Sequence, residues 1–463
     1  MILYQGITTL AGVLLTFKLA TAAPAAPAFS NPLRGGENLI GYSPTNTISN
    51  ENTETISYQL APGQTDTADL GVYLDFDGVE NPQPIRLELS IGPGNAEMNK
   101  MYSDKFAPPG TDAGATINAQ WPLALSSAVL GKGKSGWSRQ QNINVLPAAT
   151  EMAGVNMRLE AAGYRELHWH VAAEWALVLN GSCRIQAVND DGQTFIDDVG
   201  KGDVWFFPSG IPHSIQALED GVEFILVFDD GSFSETNTFL ATEIFAHNPR
   251  EVLSKDLGVP VSDFQDIPSD KLFIFPGTPA PTDIQAQNMT GSAGAIPRTQ
   301  SYSYHLSEQP AQQLEGGSVK IVDPLSFPIA SSFSAALVTI NPGGLREIHW
   351  HPSSDEWTFF IQGQGRATLF TPPSEPMTFD YMAGDVAYFP KSNSHYIENT
   401  GNEDLIVLEV LQADHYSGAD KVDVDMSLAQ WVGLTSKQIV QDTLNLSNET
   451  LSHFTTEKKI VVA

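Results

Sequence analysis

Cysteine is almost absent from this chain of 463 residues, and Cys183 is the only one. No disulfide can form within the chain, so its stability has to come from large apolar cores, metal sites or assembly with other copies. Cys183 lies in an apolar run typical of a strand, and we interpret it as a core residue.

Basic residues are also scarce. The chain has 24 Lys and Arg against 54 Asp and Glu, which gives a formal net charge of -30. A surface this acidic repels phosphate backbones, so nucleic acid is excluded as a partner. It also repels small anions at long range, so an acidic substrate would need specific arginines to hold it. Hydrophobic residues make up 41% of the chain, which favours folded domains over disorder.

Long hydrophobic runs are missing, and we predict no membrane-spanning helix. The apolar stretch from Ile7 to Phe17 is too short to cross a bilayer. Small residues follow it, with an Ala-Thr-Ala sequence that is typical of a cleavage site. We therefore predict a signal peptide at residues 1–22 and a secreted protein.

Four Asn-x-Ser/Thr sequons are consistent with secretion. They lie at Asn180, Asn288, Asn445 and Asn448. The last three fall in a predicted linker or tail, which favours their glycosylation over that of Asn180, which sits inside a tight motif.

The chain repeats itself over a long period. "YRELHWH" returns as "LREIHWH", and "GKGDVWFFPSGIPHSI" returns as "MAGDVAYFPKSNSHYI". Each copy is followed by a segment with apolar residues three and four apart, "FLATEIFAHNPREVLSKDLGV" and "SLAQWVGLTSKQIVQDTLNLS", which predicts short amphipathic helices. A period this long indicates two duplicated domains.

Within each copy, short apolar or alternating runs alternate with turn residues, a pattern typical of an antiparallel β-sandwich or barrel. Asn180-Gly181 and Gly363-Gln364-Gly365 predict hairpins. The composition predicts an extended N-terminal arm at 23–80, domains at 81–260 and 299–450, a Pro- and Gly-rich linker at 261–298, and a tail at 451–463.

The His-x-His pairs predict metal sites. Residues i and i+2 of a strand project from one face, so His168 and His170 can hold one ion while Trp169 points away. Glu174 follows after an interval typical of a turn, and His213 follows the "GDV" run that both copies contain. The second copy offers the matching set His349, His351, Glu356 and His395, so that six of the 10 histidines fall in these two sets.

Three imidazoles and one carboxylate suit Mn, Fe, Co, Ni or Zn. The lack of nearby cysteine disfavours a structural zinc cage. A six-coordinate ion would leave two positions open for substrate, water or dioxygen.

These motifs resemble the two signatures of the cupin family, and the duplication resembles a bicupin. The resemblance covers most of residues 80–450. It implies an all-β fold of two tandem cupin β-barrels (double-stranded β-helix or jelly-roll) with short flanking helices. Departures occur at Gly163, one residue closer to the first histidine than the pattern expects, at Ser392 in place of glycine, and at Ala217 in place of asparagine. None removes a ligand.

Within the bicupins, "VNMRLEAAGYRELHWHVAAEWA" and "FDDGSFSETNTF" resemble the oxalate decarboxylase family. Its members carry a mobile lid with a Ser-Glu pair, and the segment here reads Ser234-Glu235-Thr236-Asn237-Thr238. The third and fourth residues depart from the family's usual Ser-Glu-Asn-Ser, while the glutamate stays.

The resemblance implies a decarboxylase that converts oxalate to formate and carbon dioxide. Its cofactors would be two manganese ions, one per domain, with dioxygen as cocatalyst in a radical route, and its assembly a hexamer. Glu235 would carry the proton, Arg165 and Arg346 would hold oxalate, and Glu409 and Tyr416 would line the second pocket.

Other functions remain open at this stage. An oxalate oxidase, which makes peroxide, shares every ligand and differs only in a lid without the glutamate. A bicupin dioxygenase acting on an aromatic substrate would want a larger apolar pocket. A non-catalytic storage or binding protein would not need two complete metal-ligand sets.

Overall fold

The structure is a computed structural model, and it describes residues 117–372, 376–416 and 425–463. The predicted signal peptide and the extended arm lie outside the described residues. The described chain is mostly β-strand with a few short helices, which confirms the predicted all-β class. Among these residues, none of the helices has the length and apolar character needed to cross a membrane.

Strands of the first half are β1 (Gln120–Pro122), β2 (Val129–Leu130), β3 (Gly136–Gln141), β4 (Ala153–Leu159), β5 (Gly163–Trp169), β6 (Glu174–Val188), β7 (Thr194–Gly200), β8 (Val204–Phe207), β9 (His213–Phe228), β10 (Phe239–Leu240) and β11 (Ile274–Pro276).

Strands of the second half are β12 (Ser303–Tyr304), β13 (Gln312–Leu314), β14 (Gly317–Val322), β15 (Ser334–Ile340), β16 (Leu345–Trp350), β17 (Glu356–Gln362), β18 (Gln364–Leu369), β19 (Met377–Met382), β20 (Asp385–Phe389), β21 (His395–Asn399), β22 (Leu405–Leu411), β23 (Met426–Ser427) and β24 (Val461–Val462).

The helices follow the strands that carry the ligands, as the repeat predicts. They are α1 (Ala241–His247), α2 (Arg250–Leu257), α3 (Leu428–Leu434), α4 (Lys437–Leu444) and α5 (Asn448–Ser452). Short 3-10 helices span Leu123–Leu125, Lys132–Lys134, Glu235–Asn237, Val261–Phe264, Ile284–Ala286, Arg298–Gln300 and Leu306–Glu308.

All strand pairs between these elements are antiparallel, and the first half forms one sheet with the central order β8-β6-β9-β4-β3. The hairpin predicted at Asn180-Gly181 is wrong, because both residues lie inside the single long strand β6. The pairing of β6 with β9 shifts register on either side of Gly181, and Gly181 has a φ of 73°. A bulge with a glycine at positive φ bends a strand around a barrel corner without ending it.

The two halves exchange strands. β1 belongs to the first half of the chain but pairs with β20 of the second, and β12 of the second half pairs with β8 of the first. The predicted linker also contributes structure, because β11 pairs with β5 beside the first ligand set. The predicted domain boundaries stay a prediction. The pairings show in addition that each half holds one strand from beyond its own predicted boundary.

Three apolar cores support this arrangement. One fills the first half and contains Cys183, fully buried as predicted, and one fills the second half. The third is shared, with Trp175 and Phe206 from the first half packed in one cluster with Trp357 and Phe359 from the second. Face-to-face packing of sheets through such side chains is the usual way in which β-sandwiches bury their apolar faces.

Candidate metal centres

The ligand strand β5 carries a β-bulge that decides which side chains face inward. Arg165 pairs with Ile215 and His168 with His213, so three steps along β5 match two steps along β9. In a regular strand, residues three apart point to opposite faces. The extra residue brings Arg165 and His168 to the same buried side and leaves Leu167 63% exposed.

The first set of predicted ligands meets in one place. His168, His170, Glu174 and His213 are all buried, and each offers a ligand atom within 4.8 Å of the others. Glu174 Oε2 lies 3.2 Å from His170 Nε2 and 3.7 Å from His213 Nε2. Trp169, between the two histidines, points away and stacks on Phe239. The structure therefore brings the four predicted ligands of this copy together in one buried cluster.

Backbone carbonyls orient the three imidazoles. The Nδ1 atoms of His168, His170 and His213 lie 2.7, 2.6 and 2.8 Å from carbonyl oxygens of nearby residues. A carbonyl can only accept, so each Nδ1 carries the proton and each Nε2 keeps its lone pair. This is the arrangement that metal-binding histidines adopt.

The electrostatics keep the cluster in its metal-binding protonation state. Burial, reinforced by the positive charge of Arg165, lowers the pKa of His168 well below its ordinary value. Burial alone would raise the pKa of Glu174, but the neighbouring imidazoles of His170 and His213 outweigh it and lower this pKa. The other oxygen of Glu174 accepts a 2.8 Å hydrogen bond from Trp205 Nε1. Neutral imidazoles and an ionised carboxylate are the forms that ligate.

Arg165 and Glu235 form a buried pair beside this cluster. Arg165 Nη2 lies 3.1 Å from Glu235 Oε2, and the guanidinium lies over the ring of Phe273 at 4.3 Å. Glu235 begins a 3-10 turn, and the backbone N–H of Glu235 donates to Gln140 Oε1 at 3.0 Å. Burial raises the pKa of Glu235, although the charge of Arg165 opposes this.

The second set of ligands repeats the first. His349, His351, Glu356 and His395 are buried and their ligand atoms also lie within 4.8 Å of one another. Glu356 Oε2 lies 2.8 Å from His351 Nε2 and 3.0 Å from His395 Nε2. β16 carries the same bulge, between Arg346 and His349.

The second pocket surrounds its arginine with more carboxylates than the first. Arg346 Nε donates to both oxygens of Glu409, at 3.2 and 3.4 Å, and Tyr416 donates to Glu409 at 2.5 Å. Arg346 Nη2 donates to Asp425 Oδ2 at 2.6 Å. Lys458 forms an ion pair with Asp425 from the opposite side.

The donor sets fit a metal ion. Three nitrogen lone pairs and one carboxylate oxygen converge at each place, and thiolates are absent from both sets. The Nε2 atoms of His213 and His349 are buried without a hydrogen-bond partner. A buried imidazole nitrogen without a partner is costly, and a metal ion would satisfy it.

Several contacts of these pockets were not predicted from the sequence. Gln140, Phe273 and Asp425 lie far from the histidine motifs along the chain, and no spacing rule connects them to the ligands. Thr238 belongs to the predicted lid, and its hydroxyl lies 3.4 Å from Arg165 Nη2.

The chain is similar to proteins of known activity. The cupin family matches residues 130–263 and 304–451. The oxalate decarboxylase OxdC of Bacillus subtilis is 41% identical over 384 residues, which are 82% of this chain and 97% of that protein. A probable oxalate decarboxylase of Arthroderma benhamiae is 38% identical over 77% of this chain and 85% of its own length.

Solved structures of the Bacillus subtilis enzyme agree with the fold. Its structure at pH 4.6 has 40% identity and a TM-score of 0.74, and the match covers 83% of this chain and 98% of that one. Another, with a TM-score of 0.74 and 41% identity, concerns the Mn(II) centres of that enzyme. The tandem cupin fold implied by the family resemblance is therefore confirmed, and the chain belongs to the cupin family as a bicupin of the oxalate decarboxylase type.

Proposed function

We propose that this chain is a manganese-dependent oxalate decarboxylase that converts hydrogen oxalate into formate and carbon dioxide, with dioxygen as cocatalyst. The observation that carries the proposal is the buried pair of Arg165 and Glu235 beside a complete set of three histidines and one glutamate. The relatives named above, which are oxalate decarboxylases, support the same substrate.

Manganese, held by His168, His170, Glu174 and His213, would supply a Lewis acid and a one-electron redox centre to the substrate carboxylate. The second ion would lie between His349, His351, Glu356 and His395. Four protein ligands leave open positions on a six-coordinate ion, and oxalate needs at least one of them.

Arg165 binds the substrate. Its Nη1 is buried without a hydrogen-bond partner, while Nη2 already contacts Glu235. An unsatisfied buried guanidinium N–H is costly, so a carboxylate arriving here gains a charge-assisted hydrogen bond with little competition from water. The fixed cation also overcomes the repulsion of oxalate by a chain with a net charge of -30.

Glu235 transfers the proton. Hydrogen oxalate contains one acidic proton, which has to move from oxygen to carbon as the C–C bond breaks. Protonated Glu235 donates to the carbon of the remaining one-carbon fragment as carbon dioxide leaves, and the proton on the fragment's oxygen then returns to the Glu235 carboxylate, leaving formate. A raised pKa suits a group that must hold a proton in mildly acid solution.

The lid turn keeps this transfer productive. Ser234 caps the turn by accepting from the Thr236 N–H, and Gln140 holds both Ser234 and the Glu235 backbone. A closed turn excludes water, which favours protonation of the fragment over its further oxidation.

The decisive experiment is to add oxalate to the manganese-loaded protein at acid pH under air and to measure formate, carbon dioxide and peroxide. We expect one formate and one carbon dioxide per oxalate consumed. Peroxide without formate would instead indicate an oxalate oxidase. Neither product, with manganese retained, would indicate a storage or binding protein.

Secretion, glycosylation and assembly belong to the same proposal. The apolar N-terminal stretch supports export, and Asn288, Asn445 and Asn448 remain the sequons that we expect to carry glycan. The exposed side chains of Trp431 and Ile439, on α3 and α4, support burial against other copies in the hexamer implied by the family resemblance.

A further inference from the structure

The strand registers allow the two pockets to be compared position by position. His168 pairs with Leu240, and its counterpart His349 pairs with Ser427. A helix begins directly after each of these partners. Counting back two residues makes Thr238 the counterpart of Asp425.

A second register identifies another difference. Glu174 pairs with Phe228, and its counterpart Glu356 pairs with Leu411. Counting back two residues on each of these strands makes Leu226 the counterpart of Glu409. Around the arginine, the first pocket therefore has a leucine and a threonine where the second has two carboxylates.

Asp425 occupies a defined place in the second pocket. Its Oδ2 lies 2.6 Å from Arg346 Nη2 and 3.8 Å from His349 Nε2, so it bridges the arginine and the metal-ligand cluster. All three side chains are completely shielded from solvent. A carboxylate bound to the arginine and reaching the ion would have to lie in this same place.

The anchor of Asp425 is independent of the arginine. Lys458, which is also buried, forms an ion pair with the Asp425 carboxylate and donates to its backbone carbonyl at 3.2 Å. The counterpart Thr238 is neutral and reaches Arg165 only at 3.4 Å. The first arginine thus contacts one carboxylate of the chain, that of Glu235, whereas the second is engaged by two, those of Glu409 and Asp425.

We propose that Asp425 is a built-in carboxylate that takes the place of substrate on Arg346 and excludes oxalate from the second centre while leaving its metal ligands intact. The inference rests on the proposed function, in which oxalate is held between an arginine and the ion. Oxalate then turns over only at the first centre, and a single residue, Asp425, keeps oxalate out of the second.

The test is an anaerobic calorimetric titration of the full-length, manganese-loaded protein with oxalate, comparing wild type with Asp425→Thr, which installs the residue of the first pocket. We expect one oxalate per chain for wild type and two for the variant, with two manganese ions in both. Arg165→Gln in wild type should abolish the single binding event and so assign it to the first centre.

Two results overturn the inference: two oxalates bound by wild type, or one bound by Asp425→Thr with both ions retained. If wild type binds none, the proposed function fails separately. In that case Asp425→Thr still tests the inference. Binding of one oxalate by the variant supports the role of Asp425, and the absence of binding refutes it.

Removal of this buried carboxylate deletes an ion pair with Lys458, so a folding defect has to be separated from the effect on binding. Asp425→Asn keeps the shape and removes the charge, and it should also open the site. The reverse exchange, Thr238→Asp in the first pocket, should lower oxalate affinity at least 10-fold with manganese content unchanged. Unaltered affinity in Thr238→Asp, together with no second site in Asp425→Asn, would also overturn the inference.

Discussion

Glu235 Oε2 lies 3.1 Å from Arg165 Nη2, and neither side chain is open to solvent. The pair places the only charged group of the 3-10 turn against Arg165. In the proposed mechanism, proton transfer and substrate binding are therefore coupled in one contact.

Replacement of Glu235 by Gln should abolish proton transfer while keeping the shape of the turn. We expect formate production to fall by about 100-fold or more, because a positioned acid or base contributes about that much. Formate should be measured together with manganese content, which should stay at the wild-type level. Glu219→Gln, at an exposed carboxylate, is the matched control, and wild-type formate production by Glu235→Gln would refute the assigned role.

The same group should set one limb of the pH profile. Its pKa is raised above the ordinary 4.5, so Glu235 stays protonated to higher pH than a free glutamate and its proton is lost as pH rises through that raised value. Decarboxylation limited by this proton should therefore decline with rising pH above about 4.5. The limb should be missing from the residual activity of Glu235→Gln, measured as kcat/KM against pH, and an unchanged limb would point to another group.

Arg165→Lys should weaken oxalate binding although the charge is kept. A lysine ammonium cannot reproduce the planar fork that contacts Glu235 and leaves Nη1 for substrate. Loss of one charge-assisted hydrogen bond predicts a rise of about 10- to 100-fold in KM. Arg366→Lys, in an exposed ion pair with Asp380, is the control and should leave KM unchanged.

Each metal centre should be removable without the other. His213→Ala and His395→Ala each delete one ligand from one set, so each variant should retain one manganese ion per chain by metal analysis. Only His213→Ala should lose formate production. Loss of both ions from either variant would mean that the two centres depend on one another for folding.

A buried carboxyl away from the metals predicts how stability changes with pH. Burial raises the pKa of Glu223 to about 7, despite the hydrogen bond from Asn156 and the charge of Arg139. The folded protein therefore holds a proton that the unfolded chain releases, and stability falls as pH rises from about 4.5 to about 7. Glu223→Gln should equal wild type in acid and exceed it by up to ~3 kcal/mol in urea unfolding at about pH 8. An equal difference at both pH values would contradict this, and Glu219→Gln again serves as control.

The sequence predicts the ligand sets because period-2 geometry and duplication are local patterns that repeat. It does not predict the β-bulge in β5, since nothing in "YRELHWH" marks an extra residue, and without the bulge Arg165 would face away from His168. Asp425 is missed for a different reason. It follows Tyr416 along a stretch with no motif, and only the pairing of β23 with β16 brings it to Arg346.

The exchange of β1 and β12 means that the duplicated chain is not two modules on a string. Each half takes a strand from the other, and Trp357 Nε1 donates to Gln141 Oε1 across the shared core at 2.7 Å. If the peptide chain were cleaved between β11 and β12, the two fragments would therefore stay associated through the β1–β20 and β12–β8 pairings. Each half, produced alone, would lack one strand that the other half supplies.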